Sequence, residues 1–328
     1  MEKIEGANPF AFIVGNPRSG TTLLRHILDS HSEIAFLVES AWIMNWFEKR
    51  LGISAGGVVS PELVPLLLSK HRLFRDLDLG ISAEEMYGWI QSNLECSWAK
   101  FISLLCDRYG QARGKPLVGN KTPSFVRRIQ AMHELWPKTK FIHIIRDGRD
   151  VFLSARVKWK DRPSFRDFST WSQDTVTTSA LWWEWNVRLG REAGRQLPPD
   201  LYYEIRYERL VEDPKKECIL LCEFLGVSFE TAMLRHHESF RARHQPNGRV
   251  INARVALPIT AGLRNWRSEM DVAELKRFEA SAGTLLNELD YPRGCSQLLP
   301  ESVDNALAMR RLFEGRPLPK YWPLQTPD

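Results

Sequence analysis

The feature that most constrains this chain is an apolar run that stops at a glycine and passes through a short polar loop into a helical pattern. It reads Phe10-Ala11-Phe12-Ile13-Val14, then Gly15-Asn16-Pro17-Arg18-Ser19-Gly20, then Thr21-Thr22-Leu23-Leu24. An unbroken apolar run suits a strand covered on both faces, as strands of parallel sheets are. Further short strands are expected at Leu117–Gly119, Phe141–Ile145 and Leu201–Arg206. Between them lie helical patterns, expected at Thr21–Asp29, Ser124–Trp136 after Pro123, from Gly148 onward, and Thr178–Arg195. Asp213 reads as an N-cap with Pro214 at the first helical position, running to Leu225 before Gly226. Val272–Leu289 reads as a late amphipathic helix. Strands alternating with helices predict one α/β domain over 1–328, a central parallel sheet flanked by helices on both faces. A mostly helical insert is expected at about 40–115, and a tail rich in Pro and Arg is expected to wrap the surface over about 291–328.

Ligands of such sheets sit beyond the carboxyl ends of the strands. The residues to inspect are therefore Asn16–Thr22, Asn120–Thr122, Arg146–Arg149 and Tyr207. Gly15 and Gly20 flank four residues, the spacing of the nucleotide-binding loop G-x-x-x-x-G-K-[ST]. Thr22 fills the hydroxyl position, but Thr21 stands where the lysine belongs, and Arg18 supplies the positive charge instead. The amides of Gly20, Thr21 and Thr22 would face a phosphate from a helix N-terminus. The bland alternative is a tight strand-to-helix turn that needs glycine for its own geometry.

The segment "FIHIIRDGRDVFLSAR" puts Arg146 at the tip of a strand and Ser154 two helical turns later. An arginine and a hydroxyl so placed can share one phosphate dianion. A surface pair of Arg146 with Asp147, with Asp147 capping the helix, is the alternative. An aspartate after an apolar strand can also hold magnesium, a use that the missing loop lysine argues against. Arg149 and Arg156 read as solvated or salt-bridged.

Together "NPRSGTT" and this segment resemble the phosphosulfate loop and 3′-phosphate motif of sulfotransferases that use 3′-phosphoadenosine 5′-phosphosulfate (PAPS). The resemblance runs from about Phe10 to Trp266. It implies a P-loop nucleotide-kinase-like sulfotransferase fold, PAPS as sulfuryl donor, adenosine 3′,5′-bisphosphate as product, a hydroxyl acceptor and no metal. It assigns Arg18, Ser19, Gly20, Thr21 and Thr22 to the phosphosulfate, and Arg146 and Ser154 to the 3′-phosphate. Lys121, in "VGNKTP", matches the lysine that contacts the sulfate and the leaving phosphate. Tyr207 matches the tyrosine at the adenine end, although a core tyrosine reads almost as well. Trp266 and Arg267, in "TAGLRNWR", stand where the family covers the nucleotide, without the fuller Arg-Lys-Gly form. Arg254 and Arg264 are weaker candidates for phosphate contacts.

The base is the informative position. Family members that act on phenols and steroids carry a histidine two residues past the lysine, where this chain has Pro123. Tyrosylprotein and several glycan sulfotransferases use a glutamate after the first helix, and Glu39 in "HSEIAFLVESAW" matches it. The motif pattern is closest to the tyrosylprotein type. Read from the residues alone, Glu39 could equally cap a helix over Ser40–Trp46, and Lys121 could be a solvated turn lysine. A magnesium-dependent phosphotransferase and a non-catalytic module binding adenosine 3′,5′-bisphosphate stay open as alternatives.

Composition narrows the partners. A net charge of +5 over 328 residues suits anionic ligands and is too weak to argue for nucleic acid. Five cysteines without zinc spacing read as reduced, mostly buried thiols, and adjacent His236 and His237 do not suit a metal site. The amino terminus lacks a signal-peptide pattern and no apolar run is long enough to span a membrane, so a cytoplasmic location is expected. Acceptor specificity is expected in the insert, whose tryptophans and basic residues could hold an aromatic, sugar or peptide acceptor. The oligomeric state is left open, a homodimer among the options.

Overall fold

The computed structural model describes residues 8–54, 56–61, 63, 82–92, 96–159, 170–238 and 256–315. Five strands form one parallel sheet: β1 (Ala11–Gly15), β2 (Ile34–Leu37), β3 (Leu117–Lys121), β4 (Lys140–Ile145) and β5 (Tyr202–Arg206). Their order across the sheet is β2-β3-β1-β4-β5. The chain leaves β1 towards one edge, returns through β3, and crosses to the other side at β4. This reversal of direction opens a crevice at the carboxyl ends of the central strands.

The alternation of β1 fills two separate cores. Phe12 and Val14 face one side with Ala35, Leu37, Val118 and Phe141. Ala11 and Ile13 face the other with Ile34, Phe36, Ile142 and Ile144. Helix α1 (Thr21–Asp29) covers the second face through Leu24, Ile27 and Leu28. On the first face lie α2 (Trp42–Glu48), α4 (Trp98–Gln111) and α5 (Ile129–Leu135). Within the insert, α3 (Ala83–Ser92) is also described, and 64–81 lies outside the described residues. A third core gathers α6 (Gly148–Trp159), α7 (Thr175–Arg195) and α11 (Val272–Glu288) around Trp183 and Phe278. Further α-helices among the described residues are α8 (Tyr207–Glu212), α9 (Pro214–Leu225), α10 (Trp266–Glu269) and α12 (Pro300–Glu314).

Several elements differ from the sequence reading, and three of the differences have a plain physical cause. Strand β2 was not expected. Its four residues follow α1 after a short turn, and its pairing with β3 from Ile34↔Leu117 to Leu37↔Asn120 is what makes it a strand. The helix expected over Ser124–Trp136 is instead a 3-10 turn (Pro123–Arg127) followed by α5. The break falls at Arg128, whose buried guanidinium pairs with Glu48 at 2.5 Å and bonds Asn45. The expected surface tail carries α12, because Ala306, Met309 and Phe313 form a buried stripe at helical spacing. Residues 316–328 lie outside the described residues. All five cysteines are free thiols, four of them buried.

Candidate active site

The loop after β1 is held in a conformation that few sequences accept. Gly20 caps α1 with φ 97°, in the left-handed region. A Cβ at Gly20 would lie 2.5 Å from Cδ2 of Tyr207, so close approach and backbone angle both demand glycine. Arg18 also has positive φ, at 77°, which is costly for a residue with a side chain and turns it across the loop. Its Nε–H donates to the Ser154 hydroxyl at 3.1 Å. No side chain caps α1, and its first amides belong to Thr21 and Thr22. The Ser19 hydroxyl is buried without a hydrogen-bond partner. Asn186 of α7 donates to the Asn16 side chain at 3.0 Å and pins the loop from outside.

Strand β4 delivers Arg146 to the same lip, because its register sets Ile144 beside Gly15. The Arg146 guanidinium lies 4.2 Å over the Tyr207 ring, and its Nε is buried without a partner. Trp183 Nε1–H donates to the Arg146 carbonyl at 3.0 Å and fixes the turn. Asp147 does not form a surface pair with Arg146. It accepts from Arg149, which is wholly buried and also pairs with Glu279 at 2.7 Å. The Asp147 N–H donates to Glu208 at 2.9 Å. Arg156, half-exposed, pairs with Glu274 at 2.7 Å.

The sequence reading divided the anion contacts into two groups, Arg18 in one and Arg146 with Ser154 in the other. The structure joins them into one chain of neighbours, from Ser154 through Arg18 and Gly20 to Tyr207 and Arg146.

Lys121 ends β3 one strand away. Its ammonium is 2.5 Å from Glu39 Oε1 and 3.5 Å from the Thr22 hydroxyl. Lys121 is 5% exposed whereas Glu39 is 60% exposed. Burial depresses the lysine pKa below its usual range, Arg25 and Arg18 push it the same way, and Glu39 opposes them. Glu39 caps no helix: the N-cap of α2 is Ala41, with no side-chain cap bond. A buried network holds its turn. The Ser40 N–H donates to the Thr122 hydroxyl at 2.8 Å, Thr122 donates to Asn120 at 2.8 Å, and Asn120 donates to the Val38 carbonyl at 3.3 Å.

Trp266 packs in the third core. Arg149 lies 3.6 Å over its ring on one side of the contact and exposed Arg267 lies 4.4 Å from it. Its backbone N–H donates to Asp150 Oδ1 at 3.0 Å. Arg264 pairs with Glu269 at 3.4 Å, and Arg254 lies outside the described residues. The expectation that the insert's tryptophans face an acceptor is corrected for Trp42, Trp46 and Trp98, which are buried and pack edge to face. Arg25, Asp150 and Glu208 escaped the sequence reading, and Thr122 was singled out only as part of a strand-tip turn. For Asp150 a signal existed: it shares a helical stripe with Ser154, one turn away.

A parallel sheet in this order, with a glycine-flanked loop between β1 and α1, defines an α/β protein of the phosphate-binding-loop class. The sequence pattern of the sulfotransferase family matches residues 9–231, and the chain belongs to that family. The protein-tyrosine sulfotransferase of Drosophila melanogaster is 28% identical over 244 residues, covering 73% of this chain and 42% of that protein. The chain thus spans less than half of that relative's length. Nodulation protein NoeE of Sinorhizobium fredii is 26% identical over 321 residues, covering 92% of this chain and 72% of the other. Among solved structures, the sulfotransferase domain of the Synechococcus PCC 7002 olefin synthase superposes with a TM-score of 0.55 at 25% identity, covering 86% of this chain and 94% of that one. No helix among the described residues is long and apolar enough to cross a membrane.

Proposed function

We propose that this chain transfers the sulfuryl group of PAPS to an acceptor hydroxyl, with Glu39 as the general base. The observation that carries the reading is the 2.5 Å pair of Glu39 with Lys121 beside the uncapped start of α1. A nearly buried lysine and an open carboxylate meet where β3 ends, within reach of the loop that cradles phosphate. The donor fits the buried Ser19 hydroxyl and the buried Arg146 Nε, which have no hydrogen-bond partner, and the first amides of α1, which no side chain caps.

Bound there, the donor supplies an activated sulfur–oxygen bond. Glu39 accepts the proton of the acceptor hydroxyl as its oxygen bonds to sulfur and the bond to the 5′-phosphate oxygen breaks. Arg18 and Lys121 neutralise charge on the sulfuryl oxygens and the leaving phosphate, with the Thr21 and Thr22 amides and hydroxyls holding the phosphosulfate. Arg146 and Ser154 grip the 3′-phosphate, and Tyr207 and Arg267 border the nucleotide. The acceptor we favour is a peptide tyrosine, the substrate named for the fly relative; a sugar or small metabolite hydroxyl is the competing class.

Two measurements test the reading. Radiolabelled PAPS with a panel of phenol, peptide-tyrosine and sugar acceptors should label at least one, and failure with every class would refute transfer. Calorimetric titration should show adenosine 3′,5′-bisphosphate binding well ahead of ATP. Arg146→Ala should weaken that binding by about tenfold or more, the scale of one charge-assisted contact. An unchanged affinity would remove Arg146 from the site.

A further inference from the structure

The Arg146–Ser154 stripe contains a carboxylate where an anion is to bind. Asp150 lies one helical turn before Ser154 and one turn after Arg146, on the same side of α6. Its Oδ2 is 3.5 Å from the Arg146 guanidinium, and its Oδ1 accepts the Trp266 N–H at 3.0 Å.

We propose that Asp150 makes the 3′-phosphate grip proton-coupled: a phosphate arriving beside Arg146 drives a proton onto Asp150. Affinity for a 3′-phosphorylated adenosine nucleotide then rises as pH falls. This rests on the donor reading above.

On α10, which bonds Asp150 through the Trp266 N–H, Arg267 stands against the Trp266 ring and Glu269 pairs with Arg264. Arg146, in the turn just after β4, is the cation paired with Asp150. Asp147 in the turn and Glu208 on α8 add negative charge. Both are already committed elsewhere: Asp147 to Arg149, and Glu208 to the Asp147 N–H and the Tyr291 hydroxyl at 3.0 Å. Burial outweighs Arg146 and raises the Asp150 pKa to about 6. A dianion sharing Arg146 pushes it further in the same direction.

The proton comes from solvent and sits on Oδ2, since Oδ1 stays an acceptor for Trp266. The carboxyl then donates a hydrogen bond where the carboxylate repelled. The same contact ties the start of α10 to the occupancy of the site.

The test is calorimetric titration of adenosine 3′,5′-bisphosphate at about pH 7, in two buffers of different ionisation enthalpy, on wild type and Asp150→Asn. Asn keeps the acceptor for Trp266 and the shape of the side chain. Wild type should take up a fraction of a proton per nucleotide that the variant does not, and adenosine 5′-phosphate should show no such difference. At about pH 8 the variant should bind about tenfold tighter, the effect of removing one like charge beside a phosphate. Tight binding with equal proton uptake and equal pH slopes in both proteins would overturn this inference alone. No binding by wild type would overturn the donor reading, and this inference with it.

Discussion

At the scale of single residues, the site turns on an asymmetry between Glu39 and Lys121. The two touch, yet one is open to solvent and the other is almost wholly enclosed. A buried ammonium is tolerated only with a counter-charge close by. The pair therefore has two tasks, keeping Lys121 charged and placing a carboxylate at the mouth. Glu39→Gln retains the shape and removes the proposed base. It should lower kcat by about a hundredfold or more, the usual contribution of a positioned base, while weakening adenosine 3′,5′-bisphosphate binding less than Lys121→Ala does, because the bound phosphate itself then serves as counter-charge to Lys121. A variant retaining nearly full turnover would show that the proton leaves by another route. Lys121→Ala should lower kcat similarly but also weaken nucleotide binding, because Lys121 reaches Thr22 as well as Glu39. Binding unaffected by Lys121→Ala would confine its role to the transferring group.

At the scale of elements, the residues at strand tips were legible because the chemistry interrupts an apolar pattern. Gly15, Lys121 and Arg146 each stop or follow a run of buried residues, Tyr207 follows the half-buried edge strand β5, and a parallel sheet brings such tips together. The elements that were not legible depend on partners far along the chain. Strand β2 exists through β3, more than eighty residues further on, and the break at Arg128 exists through Glu48. The network that steadies Glu39 was hidden for the same reason. Thr122 and Ser40 are 82 residues apart, and nothing in "NKTP" or "VESAW" announces their bond. That bond joins the β2–α2 turn to the tip of β3, so it sets where Glu39 stands relative to Lys121. Thr122→Val leaves the buried Ser40 N–H without its acceptor, at about 1–3 kcal/mol. It should reduce kcat about tenfold or more with little change in donor affinity, since small misplacements of a base are expensive. Thr122→Ser should restore most of the loss. If Val and Ser variants turn over alike, the hydroxyl does not position the base.

At the scale of the whole molecule, the sheet is clamped from the α7 side by a polar chain, buried at His143 and half-buried beyond it, that the site does not use. His143 of β4 is fully buried, and Gly190 of α7 lies so close that a Cβ there would meet its ring at 2.5 Å. The His143 Nδ1 is 2.7 Å from the Tyr202 hydroxyl, which donates to Glu204 at 3.1 Å, and Glu204 pairs with Arg191 of α7 at 3.1 Å. With the hydroxyl proton committed to Glu204, Nδ1–H of a neutral imidazole donates to the tyrosine oxygen, and the buried Nε2 carries no proton. Burial, with Arg191 adding to it, lowers the His143 pKa to about 3 from the ordinary 6.5. A pKa depressed on folding stabilises the fold above the unfolded value and withdraws that stability as pH falls. Between about pH 6.5 and pH 3 the unfolded chain takes up a proton that the folded chain refuses. At about pH 5 the loss comes to roughly 2 kcal/mol from this one group. Urea midpoints measured at about pH 7 and pH 5 should therefore fall further in wild type than in His143→Asn, whose amide can still donate to Tyr202 but cannot titrate. Equal falls in the two proteins would mean that acid acts on this fold through its carboxylates, with His143 a bystander.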